Sequence, residues 1–225
     1  MKSKSITICI GFLLLICLGV STVSGEPLGI KINEKAIEVA KSYLHVREKN
    51  NDNRSIEIDK WHKEFGIPYG NPYCAMFSQY SYIEAFRNCH MRSPLPKMAR
   101  VSTFSKWGTS NPMIVKTITP KQITFGAYRP EIGDIISWKH GKLTSTANKF
   151  NWDGHMGLVL DWNGKTLSTI EGNTKPEGSK GDQTGRAKED PKLYGHDGVY
   201  ERKRTLGQNT SFPIVYFFRL NKREL

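Results

Sequence analysis

The sequence predicts an α+β fold in which helices come first and an antiparallel sheet follows, and three observations carry that prediction. Apolar residues recur at helical spacing before about residue 90, as in Ile37, Ala40 and Leu44 or Ile58, Trp61 and Phe65. From Ile135 onward, short apolar runs of strand length alternate with turn residues. Asn163-Gly164, flanked by two such runs, is a strong hairpin signal and sets an antiparallel pair at the centre of the second half.

The first segment is set aside before the fold is built. Lys2 and Lys4 precede an uncharged apolar run from Ile6 to Val20, and Val23-Ser24-Gly25 offers small residues for cleavage. The run is too short for a membrane span and no stop-transfer pattern follows it, so residues 1–25 read as a secretory signal and not as a stable membrane anchor. Cys17 suggests lipidation, but Ile16 stands where bacterial lipidation sites carry Gly or Ala, which disfavours it. A secreted or periplasmic protein cleaved near Gly25 is expected, with residues 26–225 forming a single domain.

Within that domain, Asn33 can cap a helix bearing Ile37, Ala40 and Leu44, with Glu34 in its first turn. The polar run Glu48 to Arg54 is a loop. A second helix starts near Ile56, buries Ile58, Trp61 and Phe65, and ends at Gly66 before Pro68. A third begins after Pro72, with Ala75, Met76, Tyr80, Ile83 and Phe86 forming one buried stripe. Pro94 and Pro96 break the chain, and Met98 to Trp107 is ambiguous between helix and extended structure. Ile135 to Trp138 is a short strand. Gly154 to Trp162 and Lys165 to Ile170 are the hairpin strands, and Glu171-Gly172-Asn173-Thr174 ends the second. A long excursion from Lys175 to Asp197 precedes the last strands, Gly198 to Arg204 and Ile214 to Leu220, with Val199, Tyr200, Val215, Phe217 and Phe218 as core candidates.

Charge and cysteine content narrow the function classes. The net charge is +12, or 12 less the two signal lysines, +10, which suits anionic partners such as cell-wall polymers. The basic residues are dispersed along the chain, so no dedicated nucleic-acid binding is expected. Cys74 and Cys89 remain after cleavage, and at helical rise they lie roughly 22 Å apart, beyond disulfide reach. An exported protein that keeps an unpaired cysteine beside a turn has either a use for it or a burial place for it.

Tyr69-Gly70-Asn71-Pro72-Tyr73-Cys74 delivers one of those thiols to the start of the third helix, where unpaired N–H groups and the helix dipole favour a thiolate. Thiolate chemistry on an amide then needs a base and a group that orients the base. His45, His62, His90, His140 and His196 read as surface or satisfied core residues. His155 differs, because it opens the central hairpin strand directly after Gly154. A three-residue hairpin loop, Trp162 to Gly164, would set His155 directly opposite Glu171; a two-residue loop would set it opposite Gly172. The three-residue register is expected, with Asn173 nearby as a second or alternative orienting group. Tyr73, Trp107 and Trp152 are the candidate substrate-binding residues, although Phe104 and Trp107 also read as core.

At this point four segments in order, Pro-Tyr-Cys-Ala-Met-Phe at 72–77, Gly-Asp-Ile-Ile at 133–136, Gly-His-Met-Gly-Leu-Val-Leu at 154–160 and Thr-Ile-Glu-Gly-Asn-Thr at 169–174, resemble the CHAP domain. The name denotes a cysteine, histidine-dependent amidohydrolase/peptidase. The resemblance runs with gaps from about Ile37 to Leu220 and implies a papain-like fold. It implies Cys74 as nucleophile, His155 as general base, Glu171 as orienting acid and Asn173 in the family's polar position. Peptidoglycan or muropeptides would be the substrate, cut between glycan and stem peptide or within the peptides, by a secreted monomer. Some members carry an acidic calcium loop shortly before the cysteine; Ile67 to Tyr73 holds no carboxylate, so neither metal nor other cofactor is expected. Two rival classes use the same residues differently: a papain-like acyltransferase or general protease, and a non-catalytic binder of anionic wall polymers.

Overall fold

The computed structural model describes residues 28–140 (28–31 as backbone alone), 153–176, 196–205 and 213–221. Residues 1–25, Trp152 and most of the Lys175 to Asp197 excursion lie outside the described residues. In chain order the elements are α1 (Leu28–Ser42), α2 (Ile56–Phe65), α3 (Cys74–Asn88), α4 (Val101–Ser110), β1 (Val115–Ile118), α5 (Pro120–Thr124), β2 (Ile135–Lys139), β3 (Gly154–Trp162), β4 (Thr166–Thr174), β5 (Gly198–Thr205) and β6 (Ile214–Leu220). The strands form one six-stranded sheet in the order β1-β6-β2-β3-β4-β5, every neighbour antiparallel. The class is α+β as expected, with β1 and α5 as additions that the sequence did not announce. No helix among the described residues is long and apolar enough to cross a membrane.

Helix α2 follows its sequence signals closely. Ser55 Oγ accepts the Ile58 N–H at 3.2 Å, and Gly66 takes φ 65° past the last turn, where a left-handed residue lets the chain leave the helix. Ile58, Trp61 and Phe65 are buried as the period requires. Helix α1 departs from its expected start. It begins at Leu28, so Asn33 sits inside the helix instead of capping it, and Leu44 lies beyond the last turn. The Asn33 side chain is turned into the α1–α3 seam, 2.9 Å from the Tyr82 hydroxyl, and that buried partner replaces the local backbone.

Helix α3 is buried on nearly every side and not along one stripe: Cys74 through Ile83, Ala85 and Phe86 are all inside. Its serine and glutamine side chains can be inside because each finds a partner. Ser78 Oγ donates to the Cys74 carbonyl and Ser81 Oγ to the Phe77 carbonyl, both at 3.0 Å. Gln79 Nε2 donates to the Ala75 carbonyl at 2.8 Å, and its Oε1 accepts the Met98 N–H at 3.0 Å. A helix so sheathed has little freedom to slide, which fixes the height of Cys74 at its first turn.

The sheet separates two apolar layers. Ile135, Met156, Leu158, Ile170 and Phe218 join the helices in the main core. Ile136, Trp138, Val159, Leu167 and Phe217 pack with Ile118, Ile123 and Tyr128 on the other face. Contact between α3 and β4 is closest at Gly172, where an added Cβ would stand 2.8 Å from Phe77 Cβ. Gly172→Ala therefore forces the helix and strand apart and is expected to destabilise the protein by about 1–3 kcal/mol, read as a lowered urea midpoint. An unchanged midpoint would show that this seam is looser than described.

Candidate active site

The turn before α3 is pinned from three sides. Pro72 starts the approach, and the Tyr73 ring is buried against Trp61 with centroids 5.6 Å apart. Buried His62 lies between two carbonyls, Nε2 2.8 Å from Asn71 O and Nδ1 2.9 Å from Ile58 O, tying α2 to the turn as a satisfied core histidine. The first helical bond runs from the Phe77 N–H to the Tyr73 carbonyl at 2.8 Å. The amides of Cys74, Ala75 and Met76 therefore have no acceptor within the helix. Cys74 Sγ lies 4.0 Å from the Gly154 carbonyl and within hydrogen-bonding reach of the His155 ring. Cys74 and Cys89 are both free thiols.

The hairpin delivers His155 to Glu171, but by a different register from the one expected. The turn residues are Gly164 and Lys165, closed by Asn163 N–H to Thr166 O at 3.3 Å, with Gly164 at φ 93° in the first turn position. Continued unbroken from Trp162↔Leu167, that register would put Glu171 on the face away from His155. A bulge between Val159 and Asp161 moves the pairing by one residue, to Val159↔Thr169 and Leu158↔Ile170, which returns Glu171 to the histidine's face. Extended further, the register sets Glu171 opposite Gly157 and diagonal to His155. The diagonal is open because Gly157 has no side chain: a Cβ there would stand 2.7 Å from Glu171 Cγ. His155 Nε2 and Glu171 Oε2 are 2.9 Å apart.

Glu171 is wholly buried, and every bond it makes suits a charged carboxylate. Thr169 Oγ1 donates to Oε1 at 2.6 Å, Arg204 Nε donates to Oε1 at 2.9 Å, and Arg204 Nη2 bonds Oε2. Arg204 pairs with Leu167 in the ladder, about 13 Å along the strand from the Glu171 rung, and reaches back over the sheet face to make this fork. Its guanidinium also lies 5.4 Å from the Trp138 ring, and Trp138 packs on His155 at 5.7 Å. Burial opposes ionisation of Glu171, but the Arg204 charge and its hydrogen bonds, with His155, outweigh it and hold the carboxyl well below the usual range. For His155 burial likewise favours the neutral ring, and it is overcome by the charge and hydrogen bond of the Cys74 sulfur and by Glu171, so the imidazole is pushed up to about 9. With Nε2 committed to Glu171, Nδ1 is the nitrogen left to face the sulfur. The arrangement is a relay of sulfur, imidazole, carboxylate and guanidinium.

The remaining candidates divide. Cys74, His155 and Glu171 are brought together. Asn173 is half-exposed at a second break in pairing, between Glu171 and Thr174, with φ 57°; its backbone N–H is directed toward the Tyr73 hydroxyl. No hydrogen bond joins its side chain to His155 or Glu171 among the described residues. Tyr73 needs correction as a substrate-binding residue: its ring is fully buried under the turn and presents no surface to a substrate. Trp107 is half-buried on α4 against Phe104, with ring centroids 5.4 Å apart, a core-edge position. Trp152 lies outside the described residues. Arg204, Thr169 and Gly157 were missed by sequence reasoning, and the available signal was the alternation of Arg202 and Arg204 along the last-but-one strand.

The two large shifts make stability depend on pH in opposite senses. His155 holds its proton more tightly folded than unfolded, so its stabilisation is complete below about pH 6.5 and is lost as pH rises through about 9. Glu171 is held below its ordinary value near 4.5, so its contribution is present above that pH and fades only as pH falls through the lower folded value. Urea melts are expected to show the greatest stability near pH 5–6 and a loss of the order of 3 kcal/mol by pH 10. Cys74→Ala, which removes the chief force raising the imidazole, should move that alkaline loss to lower pH; an alkaline limb identical in both proteins would contradict the thiol–imidazole coupling.

Compared with protein-family models, with curated proteins and with solved structures, the chain matches none, so what the site does is read from its own geometry.

Proposed function

We propose that this protein is a papain-like cysteine amidohydrolase or peptidase of the CHAP kind, exported and monomeric, that cleaves amide bonds of peptidoglycan through a thioester. The observation that carries the reading is the continuous contact from the Cys74 sulfur through His155 to the Glu171–Arg204 pair, set at a helix start. A merely structural cysteine has no need of a buried imidazole whose other nitrogen is oriented by a neutralised carboxylate. The four sequence segments that resemble the CHAP domain place the same three residues in the same roles, and the strongly basic composition suits an anionic wall polymer.

The chemistry follows from the positions. The Cys74 sulfur attacks the amide carbon, and the open amides of the first turn of α3, beginning with that of Cys74, face the oxygen as it gains charge. His155 Nδ1–H gives its proton to the leaving amine, so the C–N bond breaks to a neutral amine and a thioester remains on sulfur. Water then gives a proton to Nδ1, attacks the thioester and returns the thiolate. Glu171 keeps the ring from turning, and Arg204 keeps Glu171 charged throughout. One feature favours a second reading. Cys74 and His155 are only 5% and 6% exposed, and a site so poorly wetted suits transfer of the acyl group to an amine as well as to water.

Digestion of purified peptidoglycan, with mass analysis of the new termini, tests both readings. The wild-type protein is expected to release fragments gaining one water at a single type of amide bond, and Cys74→Ala to lower the rate by about 10⁴-fold or more without unfolding. Fragments joined to a new amine would mark transfer. Release by Cys74→Ala at the wild-type rate would end the proposal. Gly157→Ala, which crowds Glu171, is expected to reduce turnover by about 10²-fold; unchanged turnover would show that the carboxylate does not orient the ring.

A further inference from the structure

Three buried oxygens, Glu48 Oε1, Asp197 Oδ1 and Tyr73 Oη, have no hydrogen-bond partner, and their groups lie within electrostatic range of one another beside the turn that carries Cys74. Glu48 is 1% exposed and Tyr73 not at all. The two acids are brought together by the backbone, since the Glu48 N–H donates to the Asp197 carbonyl at 2.8 Å. Glu48 Oε2 is satisfied by the Asn53 N–H at 2.7 Å, which leaves Oε1 turned the other way. The Tyr73 hydroxyl is close enough to Glu48 and to the Asn173 N–H to feel both, yet forms a well-placed hydrogen bond with neither. A phenol beside a carboxylate ordinarily donates to it, and buried polar atoms are seldom left orphaned. Two carboxylates and a phenol left orphaned in one small region form a set that one oxygen-seeking ion would satisfy.

We infer that Glu48, Asp197 and Tyr73 hold one hard cation, of the calcium class, at the base of the turn that carries Cys74. Two carboxylate oxygens and a phenol oxygen, with no nitrogen or sulfur, suit an ion that takes oxygen ligands in flexible geometry. Among the described residues no three His, Cys, Asp or Glu side chains group as a metal site, so the third protein ligand is the phenol and the affinity is modest, in the range of about 10⁻⁴–10⁻³ M found for weak extracellular calcium sites. A divalent cation would meet the charge of both carboxylates at a place where Glu48 has almost no water. The site lies apart from any acidic loop directly before the cysteine, since its acids come from residues 48 and 197. Its effect would be to join the loop after α1, the turn before α3 and the start of β5, holding Tyr73 and hence the adjacent Cys74 at a fixed height.

Terbium luminescence tests this on the full chain without reference to activity. Tyr73 is itself a ligand and Trp61 lies 5.6 Å from its ring, so excitation of the aromatic groups should sensitise emission from bound Tb³⁺. Emission is expected to saturate at one ion, to be displaced by calcium chloride and not by sodium chloride at equal ionic strength, and to fall at least tenfold in Glu48→Gln and in Asp197→Asn. Millimolar calcium chloride should raise the melting temperature of the wild-type protein and of Asp197→Asn far less. Emission retained by both variants, or no emission with a melting temperature indifferent to calcium, overturns the inference and leaves the two carboxyls sharing a proton. A protein that binds the ion but cuts no peptidoglycan would refute the proposed function and leave this site standing.

Discussion

Everything at this site depends on a buried ion pair. A carboxylate with no exposure is unfavourable unless its charge is met and its lone pairs are filled, and Glu171 has both from Arg204 and Thr169. Removing one partner from such a pair costs about 3–5 kcal/mol, because the charge left behind has no water to turn to. The position of His155 is therefore tied to the stability of the sheet. Arg204 reaches Glu171 along four residue pairs of the β4–β5 ladder, so the outer strand is as much a part of the site as the central hairpin.

The second constraint is the depth at which α3 is set. Its serine and glutamine side chains bond to backbone carbonyls, Gly172 lets Phe77 lie against β4, and His62 holds the carbonyl before Pro72. Each contact fixes the helix along a different direction. Together they place a sulfur beside an imidazole that belongs to a strand eighty residues later, with the Gly154 carbonyl 4.0 Å from that sulfur. A cavity of about 310 Å³ beside Arg129, Ile132 and Trp162 lies at the other end of β3 from His155.

Much of this was legible in the sequence, and the failures have physical causes. Strands β3 and β6 and helix α2 were readable because their signals are local: an apolar run with its turn, an apolar stripe at helical spacing, a glycine stop. The pairing of His155 with Glu171 was foreseen on a wrong register, because the bulge after Val159 is a feature of two strands together and leaves no mark in either one. Arg204 was missed for the same reason; its partner lies across a ladder whose register the sequence does not fix. Asn33 has the chemistry of a cap, and its use in the α1–α3 seam became visible only with Tyr82 opposite it. Helix α3 looked amphipathic because serine and glutamine count as polar in a periodicity, whereas here they are internal and bonded. Strand β1, four residues long, and the single turn α5 are too short to stand out from the connections around them.

The central claim is that a sulfur nearly closed off from solvent is nonetheless the reactive one, because an imidazolium held by Glu171 and Arg204 stands beside it. Site-resolved alkylation by iodoacetamide at pH 7 measures this directly, since Cys89 is the more exposed of the two and so serves as an internal reference. The account predicts that Cys74 is modified faster than Cys89 in the native protein, and that His155→Ala reverses the order. Preferential labelling of Cys89 in the native protein, with Cys74 reacting only after unfolding, would contradict it.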